Sequence, residues 1–129
     1  MQVEVDYLGG MKFSADCAKH KVIIDQPLGA GGRDEGATPP QLFLSSLASC
    51  VGVYVVSYCK QTGIECQGMQ IKIKAEKVSG PDRLDDIKIE VSLPNAELGQ
   101  RHDAVIAVAK KCLIHNTIKH NPKIDVILM

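Results

Sequence analysis

The stretch from Leu42 to Tyr58 (Leu-Phe-Leu-Ser-Ser-Leu-Ala-Ser-Cys-Val-Gly-Val-Tyr-Val-Val-Ser-Tyr) constrains this chain more than any other. Thr38 is suited to cap a helix, Pro39 to occupy its first position and Gln41 to complete a capping box, so a helix is expected from Pro39 to about Thr62. Leu44, Ala48, Val51 and Val55 then fall on one side, and Phe43, Leu47, Val53 and Tyr54 on the other. A helix apolar nearly all round must be enclosed. The apolar run is shorter than the ~20 residues a membrane span needs and is interrupted by Ser45, Ser46, Ser49 and Ser57, so it reads as a helix buried in protein. In a chain of 129 residues one sheet covers only one side of it, so an obligate homodimer is expected to cover the rest.

Elsewhere apolar residues recur with the period of half-buried strands. Val3, Val5 and Tyr7 alternate with polar neighbours, and after Gly9-Gly10 so do Met11, Phe13, Ala15 and Cys17, which predicts a hairpin. A third strand is expected over Lys21 to Asp25. Pro27 to Thr38 is a charged, glycine-rich loop, long enough to be functional. Beyond the helix, Met69, Ile71, Ile73 and Ala75, then Ile87, Ile89, Val91 and Leu93, predict two strands joined by Ser79-Gly80-Pro81-Asp82. Glu97 to Leu113 has helical spacing, with Val105, Val108 and Cys112 on one face, and a further turn is expected at Thr117 to Lys119. Ile124, Val126 and Leu128 predict a last strand after Pro122. Strands with one charged face belong to antiparallel sheets packed on helices. The expected fold class is α+β in the order βββ-α-ββ-α-β, one domain over residues 1–129: N-terminal strands in 1–26, the loop in 27–38, the central helix in 39–62 and a ββαβ half in 63–129.

Composition excludes some functions. Fifteen acidic and fifteen basic residues balance, no Lys/Arg run stands out and only five aromatics are present, so no nucleic-acid partner is expected. The first residues, Met-Gln-Val-Glu-Val-Asp, carry neither a basic lead nor an apolar core, so no secretory signal is expected and the compartment is expected to be cytoplasmic. There, five cysteines point to free, redox-active or metal-bound thiols rather than a disulfide framework.

Helical geometry puts Phe43, Ser46, Leu47, Val53, Tyr54 and Ser57 on the face of Cys50 and Cys59 opposite it, so these two cysteines cannot bridge within one helix. Cys50 lies too far along the helix for the macrodipole to favour its thiolate, and an apolar setting opposes ionisation. Reactivity therefore needs a nearby cation, Arg33 first and His115 second. Cys17, Cys59 and Cys66 read as small buried hydrophobes. Cys112-Leu-Ile-His115 could hold zinc, but no second ligand pair at metal spacing accompanies it. The glycine loop lacks the ending of a phosphate-binding loop.

Gly36-Ala37-Thr38-Pro39-Pro40-Gln41-Leu42-Phe43-Leu44 running into Leu47-Ala48-Ser49-Cys50, followed by Lys110-Lys111-Cys112-Leu113-Ile114-His115-Asn116-Thr117, resembles the osmotically inducible protein C (OsmC) and organic hydroperoxide resistance superfamily, in particular its small OsmC-like branch. The resemblance implies antiparallel sheets packed on a buried central helix in an intertwined homodimer. It implies thiol-dependent reduction of organic hydroperoxides, with Cys50 peroxidatic, Cys112 resolving and Arg33 supporting the thiolate. Phe43, Leu47 and Tyr54 would surround the substrate. No bound cofactor is implied, only an external dithiol reductant. One position departs from the family pattern: its peroxidases carry a glutamate ten residues before the peroxidatic cysteine, where this chain has Pro40, followed by Gln41. Asp34 or Glu35 could replace that carboxylate. The alternative reading is a dimeric, stress-associated protein that binds an apolar small molecule with weak or no peroxidase activity.

Overall fold

The computed structural model describes residues 1–129. The chain is α+β and forms two compact units, residues 1–43 and 44–129. In the first unit, β1 (Glu4–Gly9), β2 (Lys12–Cys17) and β3 (His20–Ile24) form an antiparallel meander in the order β1-β2-β3. The register sets Tyr7 opposite Phe13, whose rings lie 5.4 Å apart, and Phe13 opposite Ile24. Gly9 and Gly10, at φ +102° and +59°, make the turn that the hairpin pattern predicted.

The loop after β3 is organised by one side chain. Asp25 is 2% exposed, and its carboxylate accepts the backbone N–H groups of Gln26 (2.8 Å), Arg33 (3.1 Å) and Glu35 (3.2 Å). Between them, the Asp34 N–H donates to the Gln26 carbonyl at 3.0 Å, and Asp34 adopts φ +56°. Asp25 N–H in turn donates to Ala37 O, beside a parallel bridge between Ile24 and Ala37. The loop thus folds back on the end of β3. The approach is close enough to need glycine: a Cβ on Gly32 would lie 1.9 Å from Gln26 O, and one on Gly36 would lie 2.4 Å from Ile23 O.

α1 (Pro39–Thr62) begins with the expected capping box: Thr38 N–H donates to Gln41 Oε1 (2.8 Å) and Gln41 N–H to Thr38 Oγ1 (3.4 Å). Its first turn belongs to the first unit and the rest to the second. It ends at Gly63, φ +71°, where Ile64 N–H reaches Cys59 O (2.9 Å), a Schellman closure, and Arg101 Nη1 satisfies the Thr62 carbonyl at 2.7 Å.

In the second unit β4 (Gln70–Val78) and β5 (Arg83–Ser92) form a hairpin with Ile71 opposite Val91 and Ile73 opposite Ile89. Their apolar face packs on a core made of Leu47, Val51, Val55 and Cys59 from α1, with Ile64, Val105 and Cys112. The other face, with Lys72, Lys74, Lys88 and Glu90, is solvated. The buried stripe of α1 is therefore an i, i+4 ladder from Leu47 to Cys59, and the opposite side stays open: Val53 is 63% exposed. The expected all-round enclosure is not achieved within one chain. By its 24-residue length and its hydropathy of 1.8, α1 also meets the criteria of a membrane-spanning helix, but its Leu47-to-Cys59 stripe is committed to this core.

Two expectations are corrected. The helix predicted over Glu97 to Leu113 is interrupted: a 3-10 turn at Gly99–Arg101 leads into α2 (His102–Ala109), and a separate α3 spans Leu113–Lys119. The break falls at Cys112, whose extended backbone (ψ 146°) turns the chain so that its thiol faces the core. No strand forms after Pro122. Ile124, Val126 and Leu128 are 79%, 93% and 102% exposed, because no strand edge of this chain pairs with them, and a strand exists only through its ladder partners.

Candidate functional site

Cys50 and Cys112 lie sixty-two positions apart in sequence, and the second unit brings them into contact. Cys50 immediately precedes Val51 of the buried ladder, so it sits at the edge of the α1 stripe and is half-buried. Cys112 is fully buried. Its Sγ acts as the N-cap of α3 and accepts the His115 backbone N–H at 3.3 Å, the place normally taken by a Ser, Thr or Asp oxygen. The Cys50 thiol lies beside the same sulfur, close enough to act on its ionisation. Both thiols are reduced.

The Cys112 thiol is held above its ordinary range, first by burial; the N–H groups of His115 and Ile114 work against that, and the neighbouring Cys50 thiol reinforces it. Such a sulfur is poor at opening a reaction with solvent-borne oxidants but well placed to attack an oxidised neighbour. Cys59 is buried in the core and is also pushed up, by burial and then by Cys66.

A cavity of about 500 Å³ between α1, β5 and α2 is lined by Val51, Ile89, Leu93 and Val105, with His102, Lys110 and His115 as polar members and neither thiol of the pair in its wall. A smaller one of about 160 Å³ is lined by Leu47, Ile87 and His115. Leu47 is 4% exposed and belongs to the core, and Tyr54 packs half-buried against it. Phe43 and Arg33 belong to the first unit. Phe43 is exposed on the first turns of α1, and Arg33 is exposed in the Asp25-bound loop with its guanidinium in no ion pair. Glu35, one candidate to replace the missing carboxylate, is instead paired with Lys12. His115, weighed as a second cation, contributes its backbone N–H to Cys112. No three His, Cys, Asp or Glu side chains converge as metal ligands.

Asp25 escaped the sequence reading. Its signal was present: an aspartate closing a strand and followed by Gln-Pro and a glycine run is suited to bind the backbone ahead of it.

Comparison with curated proteins returned no match. Among solved structures the fold matches a Psychrobacter arcticus protein named an osmotic stress induced and detoxification response protein, at TM-score 0.82 and 20% identity, over 91% of this chain and 87% of that one. It matches an OsmC-like protein of Mycoplasma pneumoniae at TM-score 0.76 and 19% identity, covering 93% and 87%. An organic hydroperoxide resistance protein of Elizabethkingia anophelis matches at TM-score 0.68 and 18% identity, covering 94% and 90%. At these identities the likeness is one of fold. A profile of the OsmC-like proteins matches residues 32–127, which takes in the second half of the loop, α1 and both cysteines of the pair, and the chain therefore belongs to the OsmC-like family.

Proposed function

We propose that this protein reduces organic hydroperoxides with its Cys50/Cys112 pair. The observation that carries the reading is the contact between a half-buried thiol at a core edge and a buried one that caps a helix. The Cys50 thiolate attacks one peroxide oxygen of R–OOH; the O–O bond breaks, R–O⁻ takes a proton and leaves as the alcohol, and Cys50 becomes a sulfenic acid. The Cys112 sulfur then attacks the Cys50 sulfur, hydroxide leaves as water with the thiol proton, and a disulfide forms. An external dithiol reduces it by exchange and is itself oxidised. Arg33 supports the thiolate and the departing oxygen, and Phe43, Leu47 and Tyr54 supply apolar contacts to R. Several proteins of this fold are named organic hydroperoxide resistance proteins, which agrees with the reading.

The working form is a cytoplasmic homodimer. Val53, at 63% exposure, and Ile124, Val126, Ile127, Leu128 and Met129, each at 77% or more, leave apolar surface that a second copy would cover. The test is a disulfide map before and after one equivalent of cumene hydroperoxide. A Cys50–Cys112 disulfide is expected; Cys50→Ser should abolish turnover and Cys112→Ser should stall at the sulfenic acid. Absence of that disulfide refutes the reading. A second reading, a small-molecule binder with little peroxidase activity, draws support from Pro40 and from the larger cavity, which neither thiol lines. Hydroperoxide loss at the uncatalysed rate, with an apolar ligand still bound by Cys50→Ser, would favour it.

A further inference from the structure

We infer that Asp25 is the positioning residue for Arg33, in the sense that its carboxylate fixes the backbone from which the guanidinium projects. The inference rests on the reading that Arg33 serves Cys50. Three successive N–H groups, those of Arg33, Asp34 and Glu35, are all engaged at the end of β3: the outer two on one oxygen of Asp25 and the middle one on Gln26 O. Consecutive amides converging on one anion form a concavity of the kind that proteins use to bind phosphate or carboxylate ligands. Here the chain's own buried aspartate takes the outer two amides, and the middle one turns to the Gln26 carbonyl.

The geometry is over-determined. Asp34 holds a left-handed conformation, and the glycines at 32 and 36 allow main-chain approaches that any Cβ would block. The Lys12–Glu35 ion pair ties the same loop to β2, but its side chains are 33% and 42% exposed, so it contributes little to the order of the loop. With Pro40 where the family carries the glutamate, no carboxylate at that position can orient the guanidinium. Control of Arg33 then passes to its backbone, and the anchor of that backbone is Asp25.

Alkylation of Cys50 by iodoacetamide, followed by peptide mass spectrometry from neutral to alkaline pH, reads the thiolate without requiring peroxide turnover. Arg33→Gln should slow it by about 10- to 100-fold. Asp25→Asn should slow it comparably, and the double variant should be no slower than Arg33→Gln alone, because residues acting in series are not additive. Lys12→Gln should change it by less than about twofold. Losses that add in the double variant overturn the inference, as does Asp25→Asn at the wild-type rate while Arg33→Gln is slow; in that last case the role of Arg33 stands. If Arg33→Gln is itself without effect, the role of Arg33 fails and the inference with it. Should Asp25→Asn not fold, amide exchange in the wild type decides. The Arg33 and Glu35 amides should exchange at least about tenfold more slowly than an open loop, and unprotected exchange overturns the inference.

Discussion

Gly52 lies on the buried side of α1, where a Cβ would stand 2.9 Å from Ile71 Cδ1 and 3.7 Å from Met69 Cε. Replacing it by alanine sets two effects against each other. Removing glycine from a helix interior is worth about 1 kcal/mol. The added methyl must displace the end of Ile71, which costs about 0.5–1.5 kcal/mol if the side chain rotates off its preferred torsion and about 1–3 kcal/mol if the core strains instead. The net effect of Gly52→Ala therefore lies between about 0.5 kcal/mol stabilising and about 2 kcal/mol destabilising. At about 2.1 cal/mol/K per residue, a chain of 129 residues unfolds with an entropy near 0.27 kcal/mol/K, so each kcal/mol moves Tm by about 4 °C. The expected shift runs from a rise of about 2 °C to a fall of about 7 °C, always below the rise expected once Ile71 is shortened. Ile71→Val removes the atom in the way, at its own cost of about 0.5–1.5 kcal/mol. In that background Gly52→Ala should raise Tm by about 4 °C. Thermal unfolding followed by circular dichroism at one fixed protein concentration measures both, since self-association would make Tm depend on concentration. If Gly52→Ala stabilises the wild type as much as it stabilises Ile71→Val, α1 and β4 are not in contact there and the packing argument fails.

The remaining predictions concern burial and charge. Val55 is fully buried, so Val55→Ala should cost about 1.5–3 kcal/mol in urea unfolding, whereas Val53→Asp, on the open face, should act on self-association and yield monomers in ultracentrifugation; an unchanged sedimentation profile counts against the dimer. The Cys59 and Cys112 thiols are raised above their ordinary value of 9.0 in the folded chain, so their contribution to stability is complete below pH 9.0 and is lost as pH rises above it. Cys59→Val should shrink this alkaline fall in the urea midpoint, and an identical fall in the variant would refute the assignment. Asp25 behaves oppositely. Burial opposes its charge, but the N–H groups of Gln26, Glu35 and Arg33 and the field of Lys12 outweigh it, so its carboxyl titrates below 3.8. Its contribution is present above pH 3.8 and lost as pH falls through the lowered folded value, so protection of the Arg33 and Glu35 amides should persist to pH 3.8 and collapse below it; an Asp25→Asn protein with the same acid profile would contradict this.

The elements that could be read directly from the chain are those whose signals are local. The capping box at Thr38 and Gln41 placed the start of α1, and the alternation through Ile71 and Ile73, then Ile87, Ile89 and Val91, placed both strands of the second hairpin with their core faces. Where two local signals competed, periodicity misled. Val105, Val108 and Cys112 share a helical face, yet the chain leaves the helix at Lys110, and the buried Cys112 thiol caps α3 by accepting the His115 amide. Ile124, Val126 and Leu128 alternate like a strand, but alternation specifies only which faces would differ and not which edge is available to pair.

Sequence alone therefore determined the class of fold, the span of the central helix and the candidates for chemistry, since periodicity, capping residues and glycine turns act over a few neighbouring positions. Tertiary structure decided what those candidates meet. It seated Cys112 against Cys50 across sixty-two positions, committed Glu35 to Lys12, and made Asp25 the anchor of the Arg33 backbone. These pairings depend on which groups burial removes from water, and a buried carboxylate or thiol must take its partners from whatever main chain the fold brings within reach.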